Sequence, residues 1–356
     1  MFGIKTWLVD GVRRWRVQRR INRCRFVHLM FNDKFNKPFV DFLNRHFDPS
    51  EHLVLCKRWF AEHPFPTGPN VVEISSLDKL HFGWPKKILC HSLFDPEVVE
   101  FLYSHPEFLQ KSSWMIWGGD LYNAKRDAKN DFVRQHIRQY ITDTDGDDTV
   151  AAKKYHSSAE LTRAGYTFPV TKDMIDAAMR KKVPHNFIRI QINNSADCST
   201  VAMLKTVSKF ADKRIRVSTI LSYGDLRYRN EIIREGKALF ADRFEPVLEY
   251  MTPNKYAEWM SNVDILVLNQ DRQQGLGNSF VAIAEGVKVF VRSDVTTFEH
   301  YKSRGMTCSD SLLISQMTFS EFIAYPSEER ERNRLKVKEF FDNQNLAALW
   351  RHALEV

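Results

Sequence analysis

The sequence predicts an α/β protein of two Rossmann-like domains, each a parallel sheet interleaved with helices, with a cleft between them. Three observations predict it. The chain is 356 residues long, with 43% hydrophobic and 27% charged residues, enough apolar material for two cores. Short apolar runs alternate with helical stretches along most of its length, the pattern of buried parallel strands and their crossover helices. The series stops once, in a Lys-rich polar stretch ending at Pro184, and begins again at Phe187.

Residues 1–25 stand apart from both series. They hold eight Lys/Arg against the single acid Asp10, a local charge of +7 in a chain whose total is +8. Ile4, Trp7, Leu8, Val12 and Trp15 recur near helical spacing. The segment therefore reads as an amphipathic helix with a basic face, suited to an anionic membrane surface. Arginines at short intervals break the apolar stretch that a secretory signal needs. The basic bias does not continue into the body of the chain, so nucleic acid is not expected as a partner.

In the first domain, expected over residues 26–170, Phe26–Phe31 (FVHLMF) reads as a strand and Pro38–Phe47 as a helix. Further strands are expected at His52–Cys56, Val71–Ile74, Lys87–His91 and Ser113–Trp117. The run Asp143–Asp148 (DTDGDD) reads as a solvated acidic loop. A linker is placed over 171–186. The second domain, 187–328, offers strands at Phe187–Ile192, Arg216–Leu221, Phe244–Glu249, Asp264–Leu268 and Lys288–Val291. One long amphipathic helix, Glu329–Leu354, fills the closing segment 329–356.

With a mean hydropathy of −0.40, and no apolar run near the roughly 18 residues a membrane span requires, a spanning helix is excluded. Five cysteines, widely spaced and odd in number, fit neither a disulfide framework nor a zinc site. Asp145-Gly146-Asp147 spells DxD, a pattern that can hold a divalent metal on a diphosphate. Here no apolar strand is expected before it, and its glycine spacing fails as a calcium loop. No metal or other cofactor is expected.

In open α/β sheets ligands bind beyond the carboxyl ends of the strands, where helix N-termini offer N–H donors. Asn193-Asn194-Ser195-Ala196-Asp197 follows one such strand, with residue types that serve helix capping or a ribose and phosphate contact equally well. Asp271-Arg272-Gln273-Gln274-Gly275-Leu276-Gly277-Asn278-Ser279 follows another and opens a helix. A fixed cation, two amides and two glycines there suit a diphosphate, although neither GxGxxG nor a P-loop is spelled. In the first domain the strand ends supply Asn32-Asp33, His91-Ser92 and Gly118-Gly119-Asp120-Leu121-Tyr122. Asp33 and Asp120 are candidate general bases, and His91 a base or orienter.

Three stretches, SSWMIWGGDLYNAKRD, IQINNSADCST and LNQDRQQGLGNSFVAIAEGV, resemble the bacterial transferases that move 4-acetamido-4,6-dideoxygalactose onto lipid II of enterobacterial common antigen, glycosyltransferase family 56. The likeness runs from about Phe26 to the helix after Lys288, and the IWGxDLY and RQQGxG strings are its most specific parts. Asp33, His91 with Phe94, Phe168-Pro169, Tyr223, Glu249 and Tyr256 match more weakly. The resemblance implies a GT-B-type fold and a dTDP-sugar donor. It implies as acceptor a polyprenyl-diphosphate-linked saccharide at the cytoplasmic face of the bacterial inner membrane. Asn194, Ser195, Tyr223, Glu249, Arg272, Gln273, Gln274, Gly275, Gly277 and Asn278 would then bind the donor. Trp117, Gly118 and Tyr122 would lie on the acceptor side with Asp33, His91 and Asp120. Without a metal, helix N–H groups and Arg272 would stabilise the leaving diphosphate. Two alternatives stay open: a GT-B transferase using a UDP- or GDP-sugar for lipopolysaccharide or capsule, and a non-catalytic scaffold at the membrane surface.

Overall fold

The computed structural model describes residues 17–78, 80–83, 85–167, 186–340 and 342–356. They fall into two compact units, one of residues 17–167 with 343–356 and the other of residues 186–342.

The first unit is built on seven parallel strands: β1 (Phe26–Phe31), β2 (His52–Lys57), β3 (Val71–Ile74), β4 (Lys87–His91), β5 (Ser112–Met115), β6 (Gln139–Thr142) and β7 (Glu160–Arg163). Their order is β3-β2-β1-β4-β5-β6-β7. Both faces are covered, which is why the central strands read as unbroken apolar runs. Val27, Leu29, Leu53, Leu55, Ile88 and Cys90 pack on one face, and Phe26, Met30, Val54, Cys56, Leu89 and Met115 on the other. The second unit carries β8 (Ile188–Ile192), β9 (Ile215–Ile220), β10 (Phe244–Val247), β11 (Ile265–Leu268), β12 (Lys288–Val291) and β13 (Ser309–Asp310). Their order is β10-β9-β8-β11-β12-β13, parallel throughout.

Strand order reverses at β1, which lies between β2 and β4, and again at β8, which lies between β9 and β11. Loops leaving such neighbours part in opposite directions and open a crevice at the carboxyl ends. The two places where a ligand fits most readily are therefore the β1/β4 and β8/β11 ends.

Three expectations are corrected. Residues 17–25, assigned to the leader, are part of the first unit: residues 17–21 are helical and Val17 and Ile21 join its core. Gln18 holds the backbone of His81, which donates to Oε1 at 2.8 Å, and Arg25 pairs with Glu51 at 2.6 Å. Residues 1–16 lie outside the described residues, as does the expected linker apart from residue 186. The closing helix is two helices, Ser327–Phe340 and Asn343–Glu355. Asp342 and Asn343 are residue types that start helices rather than continue them. The first piece buries Val337 in the second unit. The other returns to the first unit, where the buried Trp350 donates through Nε1 to Gly165 O at 2.8 Å. Finally, β6 and β7 were not expected. Their sequences QYIT and ELTR are short and rich in polar residues, so periodicity does not separate them from loop.

Candidate active site

At the carboxyl edge of the first sheet, β1 runs into Asn32 and Asp33. Asn32 is fully buried. Its Oδ1 accepts from Trp59 N at 2.6 Å and Phe60 N at 3.1 Å, and its Nδ2 donates to His63 O at 3.0 Å. It thereby fixes the loop after β2, and the Trp59 ring lies on Phe31 with centroids 4.2 Å apart. Asp33 is partly exposed. Oδ1 takes Phe35 N at 3.2 Å in a tight local turn, and Oδ2 makes no hydrogen bond among the described residues.

Asp120 differs from expectation. It is 1% exposed, and both oxygens are occupied. Oδ2 accepts from Leu93 N at 2.9 Å and Trp114 Nε1 at 2.6 Å, and Oδ1 from Trp117 N at 2.9 Å. Burial raises its pKa against the pull of these donors and of Arg134. A carboxylate so enclosed, with three donors on its two oxygens, ties the loop after β4 to the loop after β5. The expectation places Asp120 as a general base; in the structure it is buried and braces these two loops.

His91 is likewise buried, and its pKa falls to about 3 through desolvation. Its ring nitrogens meet His28 Nδ1 at 2.9 Å and the Tyr166 hydroxyl. Trp117 stands edge-on to Phe31, Phe35 and Tyr166, at 5.5, 6.0 and 5.5 Å between centroids. Gly118 has φ +76° and starts the short helix that carries Asp120 and Tyr122. The Tyr122 hydroxyl donates to Asp147 Oδ1 at 2.7 Å.

That contact corrects the reading of DTDGDD as a solvated loop. The run follows the buried strand β6, and Asp147 is 1% exposed. Asp145 and Asp148 lie 3.0 and 3.6 Å from Arg163. Among the described residues, no group of three or more His, Cys, Asp or Glu is placed to hold a metal ion.

In the second unit, the loops after β8 and β11 are sewn together at the switch point. Asn269 N donates to Asn193 Oδ1 at 2.7 Å, Gln274 Nε2 to Ser195 Oγ at 2.7 Å, and Gln270 Nε2 to Asp197 Oδ2 at 3.4 Å. Asp197 also caps the helix Cys198–Val207 through Ser199 N at 3.0 Å. Gly275, at φ +74°, starts the helix Leu276–Ala284 with no side-chain cap. The first N–H groups, at Leu276, Gly277 and Asn278, are thus left without a side-chain acceptor. A Cβ at Gly275 would lie 2.9 Å from Asn194 Nδ2, an amide nitrogen that is buried without a partner, as is Gln270 Oε1. Arg272 reaches only the Gln273 carbonyl, at 3.1 Å, and forms no ion pair among the described residues.

Tyr223 is brought to the same place. Ala196 N donates to its carbonyl at 3.0 Å, and both Asp197 and Arg272 act on its phenol. The buried Tyr256 hydroxyl has no partner and feels Tyr223 in turn. Glu249 is exposed beyond β10 and makes no hydrogen bond or ion pair among the described residues. Gln270, His28, His52 and Tyr166 were not singled out beforehand. Only a histidine inside an otherwise apolar strand could have flagged two of them.

A family model described as 4-alpha-L-fucosyltransferase glycosyl transferase group 56 matches residues 84–354. No curated protein sequence matches the chain. Among solved structures, a UDP-forming trehalose-phosphate synthase from Burkholderia vietnamiensis is similar with a TM-score of 0.64 and 10% identity, over 93% of this chain and 99% of that one. A glycosyltransferase from Rickettsia africae gives a TM-score of 0.64 at 10% identity, covering 93% and 98%. An Escherichia coli trehalose-6-phosphate structure bound with UDP-2-fluoro glucose gives 0.63 at 9%, covering 92% and 98%. At such identities the likeness is one of fold.

Proposed function

The chain belongs to glycosyl transferase group 56 and has the GT-B type of fold, and from that premise we propose that it transfers a deoxyamino sugar, 4-acetamido-4,6-dideoxygalactose or a close relative, from a dTDP donor to a polyprenyl-diphosphate-linked saccharide. The observation that carries the donor half is the convergence at β8 and β11 of a helix N-terminus with no side-chain cap, an arginine that meets no carboxylate among the described residues, and the unpartnered Asn194 Nδ2. Backbone N–H groups and a guanidinium take up negative charge as the sugar–phosphate bond breaks, and need no metal to do so. Ser195, Gln274 and Asp197 hold this cradle rigid. Tyr223 and Tyr256 offer hydroxyls and ring faces to the nucleoside.

The acceptor half uses the first sheet's β1/β4 crevice. In this crevice Asp33 keeps Oδ2 free of hydrogen bonds among the described residues, and serves as base toward the acceptor hydroxyl in an inverting transfer. Trp59, Trp117 and Tyr166 supply ring faces for a sugar. Residues 1–16, with Lys5, Arg13, Arg14 and Arg16 against the single acid Asp10, keep the enzyme at the cytoplasmic face of the inner membrane, beside its lipid acceptor. No helix of the described residues is long and apolar enough to cross a membrane.

The test is thermal shift with dTDP, UDP, GDP and CDP, each in EDTA and in magnesium. A ligand bound only by the folded state raises stability by mass action. Selective stabilisation by dTDP in EDTA, lost in Arg272→Ala, is expected. Selective stabilisation by UDP or GDP would change the donor, and a dTDP shift unaltered in Arg272→Ala would move the site.

A further inference from the structure

The carboxyl end of the second sheet, at β8 and β11, is a buried polar network whose donors and acceptors can be matched one by one. Gln191, Asn193 and Asn194 are fully buried, and Ser195 and Gln270 are 5% exposed. The sense of a buried amide is set by a partner that can only accept or only donate. Gln191 Nε2 donates to the Asn193 carbonyl at 2.5 Å, and a carbonyl only accepts. The Asn194 atom 3.5 Å from that same Nε2 is therefore Oδ1, and Nδ2 is the outer atom of Asn194. Gln270 is set by a carboxylate. Its Nε2 lies 3.4 Å from Asp197 Oδ2, which accepts, so Oε1 is the outer atom of Gln270.

These two outer atoms, Asn194 Nδ2 and Gln270 Oε1, are buried with no hydrogen-bond partner among the described residues. Each costs the folded chain the desolvation of a polar atom with nothing in return. Buried polar groups are as a rule paired, and an exception inside a network that otherwise satisfies itself calls for a reason.

The two atoms differ in sign. Asn194 Nδ2 is a donor at the start of the helix Leu276–Ala284, where a Cβ on Gly275 would come within 2.9 Å of it. A phosphate oxygen satisfies it, as it does the helix N–H groups alongside. Gln270 Oε1 is an acceptor. A diphosphate has no hydrogen to give it, and the two negative oxygens would repel. Yet Gln270 sits beside the cradle. Its Nε2 and Ser195 Oγ meet the same Asp197 oxygen, at 3.4 and 3.1 Å, and Ser195 Oγ accepts from Gln274 Nε2 at 2.7 Å. The ligand that satisfies both atoms joins an anionic part to a neighbouring N–H or O–H group.

Resting on the donor reading above, in which Tyr223 and Tyr256 take the nucleoside, we infer that Gln270 is a specificity-determining residue whose Oε1 accepts a hydrogen bond from an N–H or O–H group of the transferred sugar. The contact separates substrate from product. A nucleotide sugar fills Oε1, whereas the nucleoside diphosphate left after transfer brings no group to it and leaves it unpaired again. The contact also rejects a donor whose sugar lacks hydrogen at that position, since a site built to bond an N–H or O–H is left with a buried unpaired acceptor when the group is missing. Gln270 makes and breaks no covalent bond; it decides which sugar is held.

Calorimetric titration of the full chain with dTDP and with dTDP-4-acetamido-4,6-dideoxygalactose, in the wild type, Gln270→Met and Gln270→Glu, tests the inference. Met keeps the length of the side chain without the oxygen, and Glu keeps an oxygen in place. Gln270→Met should weaken the nucleotide sugar about 5- to 100-fold and dTDP less than about 2-fold. Gln270→Glu should keep the wild-type ratio of the two affinities. Equal weakening of both ligands by Met, no weakening of either, or a ratio lost in Glu as in Met would overturn the inference. The wild type alone supplies a second measurement. Of three analogues lacking the 2-hydroxyl, the 3-hydroxyl or the 4-N–H hydrogen, one should lose the same factor, and none doing so would overturn it. If the wild type takes UDP and UDP-N-acetylglucosamine and not the dTDP pair, the dTDP reading fails, and the same ratio measured on the UDP pair decides Gln270. If no nucleotide binds, both fall.

Discussion

Lowering the pH from 7 to 5 loads protons onto the unfolded chain that the folded chain refuses at His28, His52 and His91. In the folded protein burial depresses all three, with His52 at about 4 and His91 at about 3, against a value near 6.5 in the unfolded chain. The sign follows from linkage. Between these limits the unfolded state binds more protons, so stability is fully present above about 6.5 and is lost as the pH falls toward the folded values. Each group contributes about 1.4 kcal/mol per pH unit in that window. His52 and His91 together therefore cost about 4 kcal/mol between pH 6.5 and 5, a large share of the ~5–15 kcal/mol that holds a typical domain. His28 adds in the same direction. Carboxylates held low, such as Asp127 at about 2, act only at lower pH and leave this window clean. The assay is urea unfolding at pH 7, 6 and 5, followed by tryptophan fluorescence, since Trp114 and Trp350 are fully buried in the first unit. The midpoint of the transition they report should fall with each step, and His52→Phe, removing one of the three, should flatten the slope by about a third. A midpoint that stays constant to pH 5, or imidazoles that titrate near 6.5 by NMR, would refute the reasoning.

Asp120→Asn should lower stability by about 2–4 kcal/mol, because one of its accepting oxygens becomes an N–H donor aimed at other donors. An unchanged Tm with kcat lost would return Asp120 to the role of base. Gly224 has φ +108°, and a Cβ there would stand 2.4 Å from Ala196 O. Gly224→Ala should therefore cost about 2–4 kcal/mol and weaken nucleotide binding by displacing Tyr223, as calorimetry would read. Transfer should persist in EDTA, since Asp145 and Asp148 face Arg163 and Asp147 is held by Tyr122. Activity abolished by EDTA and restored by manganese would reassign those carboxylates.

What the sequence could reveal was set by how local each feature is. FVHLMF, HLVLC, KILCH and DILVLN are apolar enough to declare buried strands, and the polar residues after them mark carboxyl ends wherever the strands sit. The same logic put Asn194, Arg272 and Asp33 at strand ends, where the structure also has them. Role is not local in this way. Asp120 looks like an open base until its donors are known, and these come from Trp114 and from Leu93, 27 residues earlier. QYIT conceals β6, so DxD after it looked like loop, and only Arg163 and Tyr122, from other elements, show those acids engaged. The line of His52, His28 and His91, whose ring nitrogens meet in turn at 2.9 Å, is the limiting case. Each of its rings lies in a strand that was legible, yet the line exists only because β2, β1 and β4 are neighbours in that order and in that register. Strand order follows from helix packing on both faces and is carried by no single strand. A polar residue inside an apolar strand is therefore the local trace such a line leaves, and three of them in successive buried strands weigh more than any one.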